Sequence, residues 1–195
     1  MNRRTRTALL GSALLLTVAA ATGSAGASAS DENKRETVPA GVSATGESER
    51  EAAALTGKAK LYRSAGDDIT FSFDAHLAAK DKADPMKATG TFEFSHYLNG
   101  EGARAKAKVD CLLTGGKVAV VSGVITDSDL PGAEGKRVGI TVHDAGRRDR
   151  LGYSWASTGS PVETKELPKC VGSAPFEKVK KGTGDFTVVP WRPAL

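Results

Sequence analysis

Residues able to do chemistry are few in this chain and widely spaced. Gly152-Tyr153-Ser154-Trp155-Ala156 departs by one residue from the G-x-S-x-G turn that presents a nucleophilic serine. Such a serine belongs on a strand-to-helix turn and takes its proton acceptor from a histidine later in the chain. Here no helical pattern follows, and His76, His96 and His143 all precede Ser154. A strand carrying a core tryptophan is the reading this order favours. The three histidines also lack metal-ligand spacing, since neither H-E-x-x-H nor C-x-x-C occurs. The alternation around them puts His76 on a polar strand face and His96 on the apolar face of a neighbouring strand, with His143 at a strand end beside Asp144. They are not expected to converge on a transition metal. No catalytic residue and no cofactor is assigned.

Three other groups could bind something. Asp127, Asp129 and Glu134 lie in one acidic loop and are candidate calcium ligands, because that cation takes carboxylate oxygens. The EF-hand spacing is absent, and an acidic turn that caps its own backbone is the commoner use of such residues. Arg104, Lys106 and Lys108 alternate along one strand as a basic stripe that could hold an anionic polymer. The competing use is a solvated face paired with neighbouring acids, Glu93 among them, that also guards against edge pairing. Tyr62, Tyr97, Tyr153, Trp155 and Trp191 could form a sugar-stacking platform, but aromatics are only 6% of the chain and most are needed for a core. Trp191 is the one expected at an end, either exposed or plugging a barrel mouth.

The elements that would position these residues read as strands. Ala103 to Leu113 alternates apolar odd positions with charged even ones, the mark of a half-buried strand. Gly115-Gly116 is the expected two-residue turn, pairing Leu113 with Val118 and Cys111 with Val120 and placing Val118, Val120 and Val124 on the face of Val109 and Cys111. Leu112, Val121 and Ile125 fall on the second face, so both faces are expected to be covered near this turn. Asn99-Gly100 is the strongest hairpin signal and pairs Leu98 with Glu101, Phe94 with Ala105 and Glu93 with Lys106. Further strands are expected over Lys58–Ser64, Ile69–Ala79, Thr89–Leu98, Arg137–His143, Leu151–Ala156 and Gly184–Val189. Residues 157–176, with three prolines, read as an irregular segment. The fold class is all-β: a single antiparallel meander forming a sandwich or a partly closed barrel.

Charge and compartment follow from the first residues. Arg3, Arg4 and Arg6 precede an apolar run over Ala8–Ala21 and then A-x-A sites at Ala25–Ala27 and Ala27–Ala29. This is the pattern of a secretory signal peptide over 1–29, too short for a membrane anchor. The chain carries 27 Lys and Arg against 23 Asp and Glu, and without the three signal arginines the balance is 24 to 23. A near-neutral mature protein lacks the footprint of a nucleic-acid binder. Residues 30–56 are small and polar and read as a disordered linker, with Ser48–Leu55 offering at most a turn or two of helix. Residues 57–195 form the all-β domain. In an oxidising compartment its only two cysteines, Cys111 and Cys170, are expected to form one disulfide.

The runs VDCLLTGGKVAVVSGVI, GKRVGITVHDAG and DRLGYSWA resemble small secreted actinobacterial proteins that carry the label repetin, a name that implies no demonstrated activity. More loosely, the strand order is similar to β-rich accessory domains of bacterial secreted proteins, whose meander ends in a V-x-D-x-G turn, here Val142 to Gly146. The resemblance implies a β-fold and brings no catalytic residues. The chain is thus expected to be a secreted, extracellular, non-enzymatic domain with a binding or structural role at or outside the cell surface. Its partner would be a cell-wall polymer or another secreted protein, with no nucleic acid and no membrane anchor after cleavage. A secreted hydrolase, or an inhibitor of a secreted enzyme, is the alternative. A soluble carrier would show an open barrel with an empty apolar interior.

Overall fold

Strand follows strand from Glu51 onward in the computed structural model, which describes residues 51–173 and 177–192. Residues 1–50, on which the expected signal peptide and most of the expected linker fall, lie outside the described residues. The strands are β1 (Glu51–Lys60), β2 (Asp68–Ala78), β3 (Thr89–Leu98), β4 (Glu101–Gly115), β5 (Val118–Ser128), β6 (Arg137–His143), β7 (Arg150–Tyr153), β8 (Glu177–Lys178) and β9 (Thr187–Val189). They form one antiparallel sheet in the order β8-β7-β6-β5-β4-β3-β2-β1-β9, curled into a half-barrel. A single curled sheet decides the choice between sandwich and partly closed barrel in favour of the barrel. The curl also returns one edge toward the other. Leu61, just past β1, bridges Val179, just past β8, while Tyr62 N–H donates to the Lys178 carbonyl and Lys180 N–H to the Lys60 carbonyl, both at 2.8 Å.

Alternation fills the interior. Ile69, Phe71, Phe73, Ala75 and Leu77 of β2 are all buried, as are Val138, Ile140 and Val142 of β6. The β3–β4 hairpin has the expected register, with Asn99 and Gly100 at φ of 54° and 85° and Phe94 opposite Ala105. Large residues meet small ones elsewhere too: a Cβ on Gly123 would lie 2.8 Å from the ring of Phe92. Such interdigitation lets a narrow curl reach ordinary packing density.

Two expectations are corrected. Strand β1 starts at Glu51, so 51–56 is neither linker nor helix; Ala53 and Leu55 are fully buried and pair with β2, and tertiary pairing overrides alanine's helix propensity. The β4–β5 turn is Gly116-Lys117, since Gly115 pairs with Val118, Leu113 with Val120 and Cys111 with Ser122. The register then shifts between Val109 and Cys111, where Asp110 is the extra residue of a bulge. The bulge turns Val109 and Leu112 inward and leaves Asp110 and Cys111 together outside. On β5 the core therefore takes Ala119, Val121 and Ile125, while Val118, Val120 and Val124 stay partly exposed on the outer face.

That outer face is covered by an irregular strap, residues 157–173. Cys170 is bonded to Cys111 with a Cα–Cα distance of 5.2 Å. The strap lies so close to β6 that a Cβ on Gly139 would sit 1.8 Å from the Val171 carbonyl oxygen, a space only glycine leaves. The disulfide crosslinks positions 59 residues apart. Replacing both cysteines by serine should lower the unfolding free energy by about 4 kcal/mol in the chain-entropy account, read as a shifted urea midpoint. A loss under about 1 kcal/mol would mean that the strap is held without it.

Candidate functional site

Ser154 is used by the fold. Its hydroxyl accepts from Gly139 N–H at 3.1 Å, and its own N–H donates to the Gly139 carbonyl at 2.9 Å, extending the β6–β7 pairing. The strand reading of Gly152–Ala156 holds through Tyr153, after which the chain turns and tucks Trp155 into the core at 7% exposure.

The histidines are dispersed. His76 sits between two carboxylates, Nδ1 at 2.6 Å from Glu51 Oε1 and Nε2 at 2.8 Å from Asp74 Oδ1. His96 lies on the Phe92–Phe94 face as expected, opposite Ala103, but at the open end of the strand. It is exposed near the tip of β3, with Nε2 3.1 Å from Asp67 Oδ2. His143 ends β6 opposite Arg150. Among the described residues no group of three or more His, Cys, Asp or Glu side chains could hold a metal ion. The calcium candidates are drawn into other work: Asp127 meets Arg104 Nη1 at 2.8 Å, and Asp129 Oδ1 accepts from Arg104 N–H at 2.5 Å. Glu134 is exposed in the following turn.

The basic stripe is largely neutralised across strands. Arg104 pairs with Asp127, and Lys106 with Glu93 at 3.1 Å. Lys108 is exposed and faces Thr91 and Val124 in its neighbours. The aromatics do not make one platform either. Tyr62 is exposed, Tyr97 half-buried, Tyr153 and Trp155 buried. Trp191 packs partly against the core with Nε1 donating to the Lys82 carbonyl at 2.7 Å.

What the fold does assemble is a pair of clefts at one end of the half-barrel, where β3 and β7 end and β4 begins. Their shared wall is Phe94 and Trp155, with ring centroids 4.4 Å apart. The larger cleft encloses about 430 Å³ and is walled by Phe94, Trp155, Ala103, Ala105, Leu130, Pro131 and Pro161, with His96, Arg104 and Asp129 at its rim. The smaller, about 190 Å³, runs past Ile69 and Phe71 to Arg63 and Tyr153. Arg63 there donates to Glu177 and, at 3.0 Å, to the Tyr153 hydroxyl. The Glu177 bond raises the guanidinium's pKa. Burial opposes ionisation of Glu177, but the bonds from Arg63 and Tyr153 outweigh it and hold the carboxyl below its ordinary range. Burial pushes the Tyr153 phenol up to about 12. The polar groups are thus paired with one another around an apolar floor. Among the described residues His96 pairs with the Asp67 carboxylate and not with a hydroxyl. A cleft of this size and lining suits capture of a ligand with an apolar face.

Sequence reasoning missed this site because its walls come from five separate stretches, 63–71, 94–96, 102–105, 128–131 and 153–161. The Arg63–Glu177 pair spans 114 positions and leaves no local signal. No protein-family model matches the chain, and no curated protein or solved structure matches it.

His76 yields a pH prediction. Burial works against its charge, but hydrogen bonds to Asp74 and Glu51 outweigh this and raise its pKa above 6.5. The stabilisation is complete below about pH 6.5 and is lost as pH rises through the raised native value. Urea midpoints of the natural protein should therefore fall as pH rises above about 6.5, and His76→Gln should remove that part of the slope. An unchanged slope in the variant would refute the assignment.

Proposed function

We propose that this chain is a secreted, non-enzymatic binding domain that works at or outside the cell surface, and that its open-end cleft takes the apolar ring face of a wall glycan. The observation that carries the reading is the Phe94–Trp155 wall, with a cleft on each side and the polar side chains around it already paired. Paired rim groups leave contact with apolar surface as the main source of affinity, and sugar rings present such a face against aromatic side chains. The disulfide supports the extracellular placement, because such crosslinks persist in oxidising compartments. The N-terminal arginines and apolar run support export. A hydrolase reading finds no support in the larger cleft, where Ser128 donates to the Arg104 carbonyl at 2.9 Å and Ser160 accepts from Val162 N–H at 3.2 Å.

Ala103 lines the cleft and continues the inward row of Ala105 and Ala107. Ala103→Trp fills the cavity without emptying the core. Washed cell walls should retain residues 30–195 even at about 0.5 M salt, where charge pairing is screened. The Ala103→Trp protein should appear in the supernatant with its melting temperature kept. Retention unaffected by this filling, or no retention at any salt, would overturn the reading.

A further inference from the structure

A third cleft, of about 500 Å³, opens at the other end of β7, between the turn 144–149 and the loop 179–186. Its lining carries Arg147, Lys180 and Lys181 together with Asp144, Asp149 and Asp185. The acids are committed. Asp144 faces Lys117 at 3.5 Å and accepts from Gly146 N–H, and Asp185 accepts from Lys58 N–H at 2.5 Å. Asp149 is 5% exposed and accepts from Ala145 N–H at 2.9 Å, and its burial raises the carboxyl's pKa. The cations are not committed. Among the described residues none of the three makes an ion pair, whereas Arg104, Lys106, Lys60 and Arg137 each do. Lys180 lies in the field of Asp68, but Lys60 already bridges that carboxylate at 2.7 Å.

The cations also stand on anchored backbone. Lys180 N–H donates to the Lys60 carbonyl at 2.8 Å, and Val179 N–H to the Asp149 carbonyl at 3.1 Å. The Thr183 hydroxyl closes the loop onto the Lys180 carbonyl at 2.8 Å. The loop that carries Lys180 and Lys181 is thus fixed to the sheet at its backbone without a ligand.

We propose that this cleft, and not the β4 stripe, is where the protein binds an anionic polymer, one that bears phosphate groups. A guanidinium offers a planar fork that two phosphate oxygens accept from, and the two ammoniums act as point charges toward the rest of the chain. Carboxylate polymers match the fork but present one planar group per charge; a phosphate chain offers oxygens in several directions to three cations spread around a concavity. The site is separate from the aromatic cleft and does not depend on the glycan reading.

The test titrates residues 30–195 with sodium polyphosphate, and with polyglutamate of equal charge, by calorimetry at low salt. Polyphosphate should bind, with Kd rising steeply with salt. The triple variant R147A/K180A/K181A should weaken it at least tenfold (an order-of-magnitude expectation, about a factor of three per lost cation). The stripe variant R104A/K106A/K108A should change it less than about twofold. Should the cleft variant melt early, Lys181→Glu, a single change at an exposed loop position, should still weaken binding several-fold. Absence of polyphosphate binding, equal weakening by the cleft and stripe variants, or polyglutamate binding as tightly as polyphosphate would overturn the proposal.

Discussion

The structure depends on one carboxylate. Asp110 stands at the bulge of β4 and accepts from the Ser122 hydroxyl at 2.6 Å and from Arg137 Nε at 2.7 Å. Both partners then reach the strap: Ser122 Oγ accepts from Cys170 N–H at 3.0 Å, and Arg137 Nη1 donates to the Leu167 carbonyl at 3.2 Å. Charge-assisted bonds of this kind exceed neutral ones in strength, and a partly buried network loses more than one bond when a member is removed. The disulfide joins the residue beside Asp110 to the same strap. Three central strands, β4, β5 and β6, are therefore tied to one irregular segment through one extra residue in one strand.

The bulge has consequences at both ends of the sheet. It puts Val109 and Leu112 inside, sharpens the local twist and helps the nine strands curl. The curl lets the C-terminal segment work on both edges, pairing near β7 and β1 first and along the start of β1 afterwards. At the β4–β5 tip, the Thr114 hydroxyl donates to the Val189 carbonyl at 2.8 Å and accepts from Trp191 N–H at 2.6 Å, which fastens that end. The opposite end has no such cover among the described residues, and there Phe94 and Trp155 divide the two clefts. The cation-lined cleft arises where the returning segment leaves β8 and crosses toward β1.

Local signals were legible wherever the structure obeys a local rule. Asn99-Gly100 set the β3–β4 register, and with it the Glu93–Lys106 pair, because turn type and alternation agree there. The Gly115-Gly116 signal misled by one residue, since the turn is set jointly with a bulge whose Asp110 bonds to the distant Ser122 and Arg137. Ala53 and Ala54 carry helix propensity, yet pair as strand because β2 and β9 are available on either side. Charge was legible in total but not in placement. Arg104 and Asp127 cancel across a register that sequence could not fix, and that is why the stripe looked like a binding face. Arg147, Lys180 and Lys181 meet only because β8 packs beside β7.

Amide hydrogen exchange of the Asp110→Ala protein, disulfide intact, against the natural protein tests the account most directly. The predicted result is a local one: the Cys170 amide, and the strap amides near Leu167, lose protection by at least about tenfold, while the β1–β3 amides keep theirs. Unchanged protection at Cys170 and across β5–β6 would contradict the account, for it would mean that the disulfide and apolar packing hold the strap without the carboxylate.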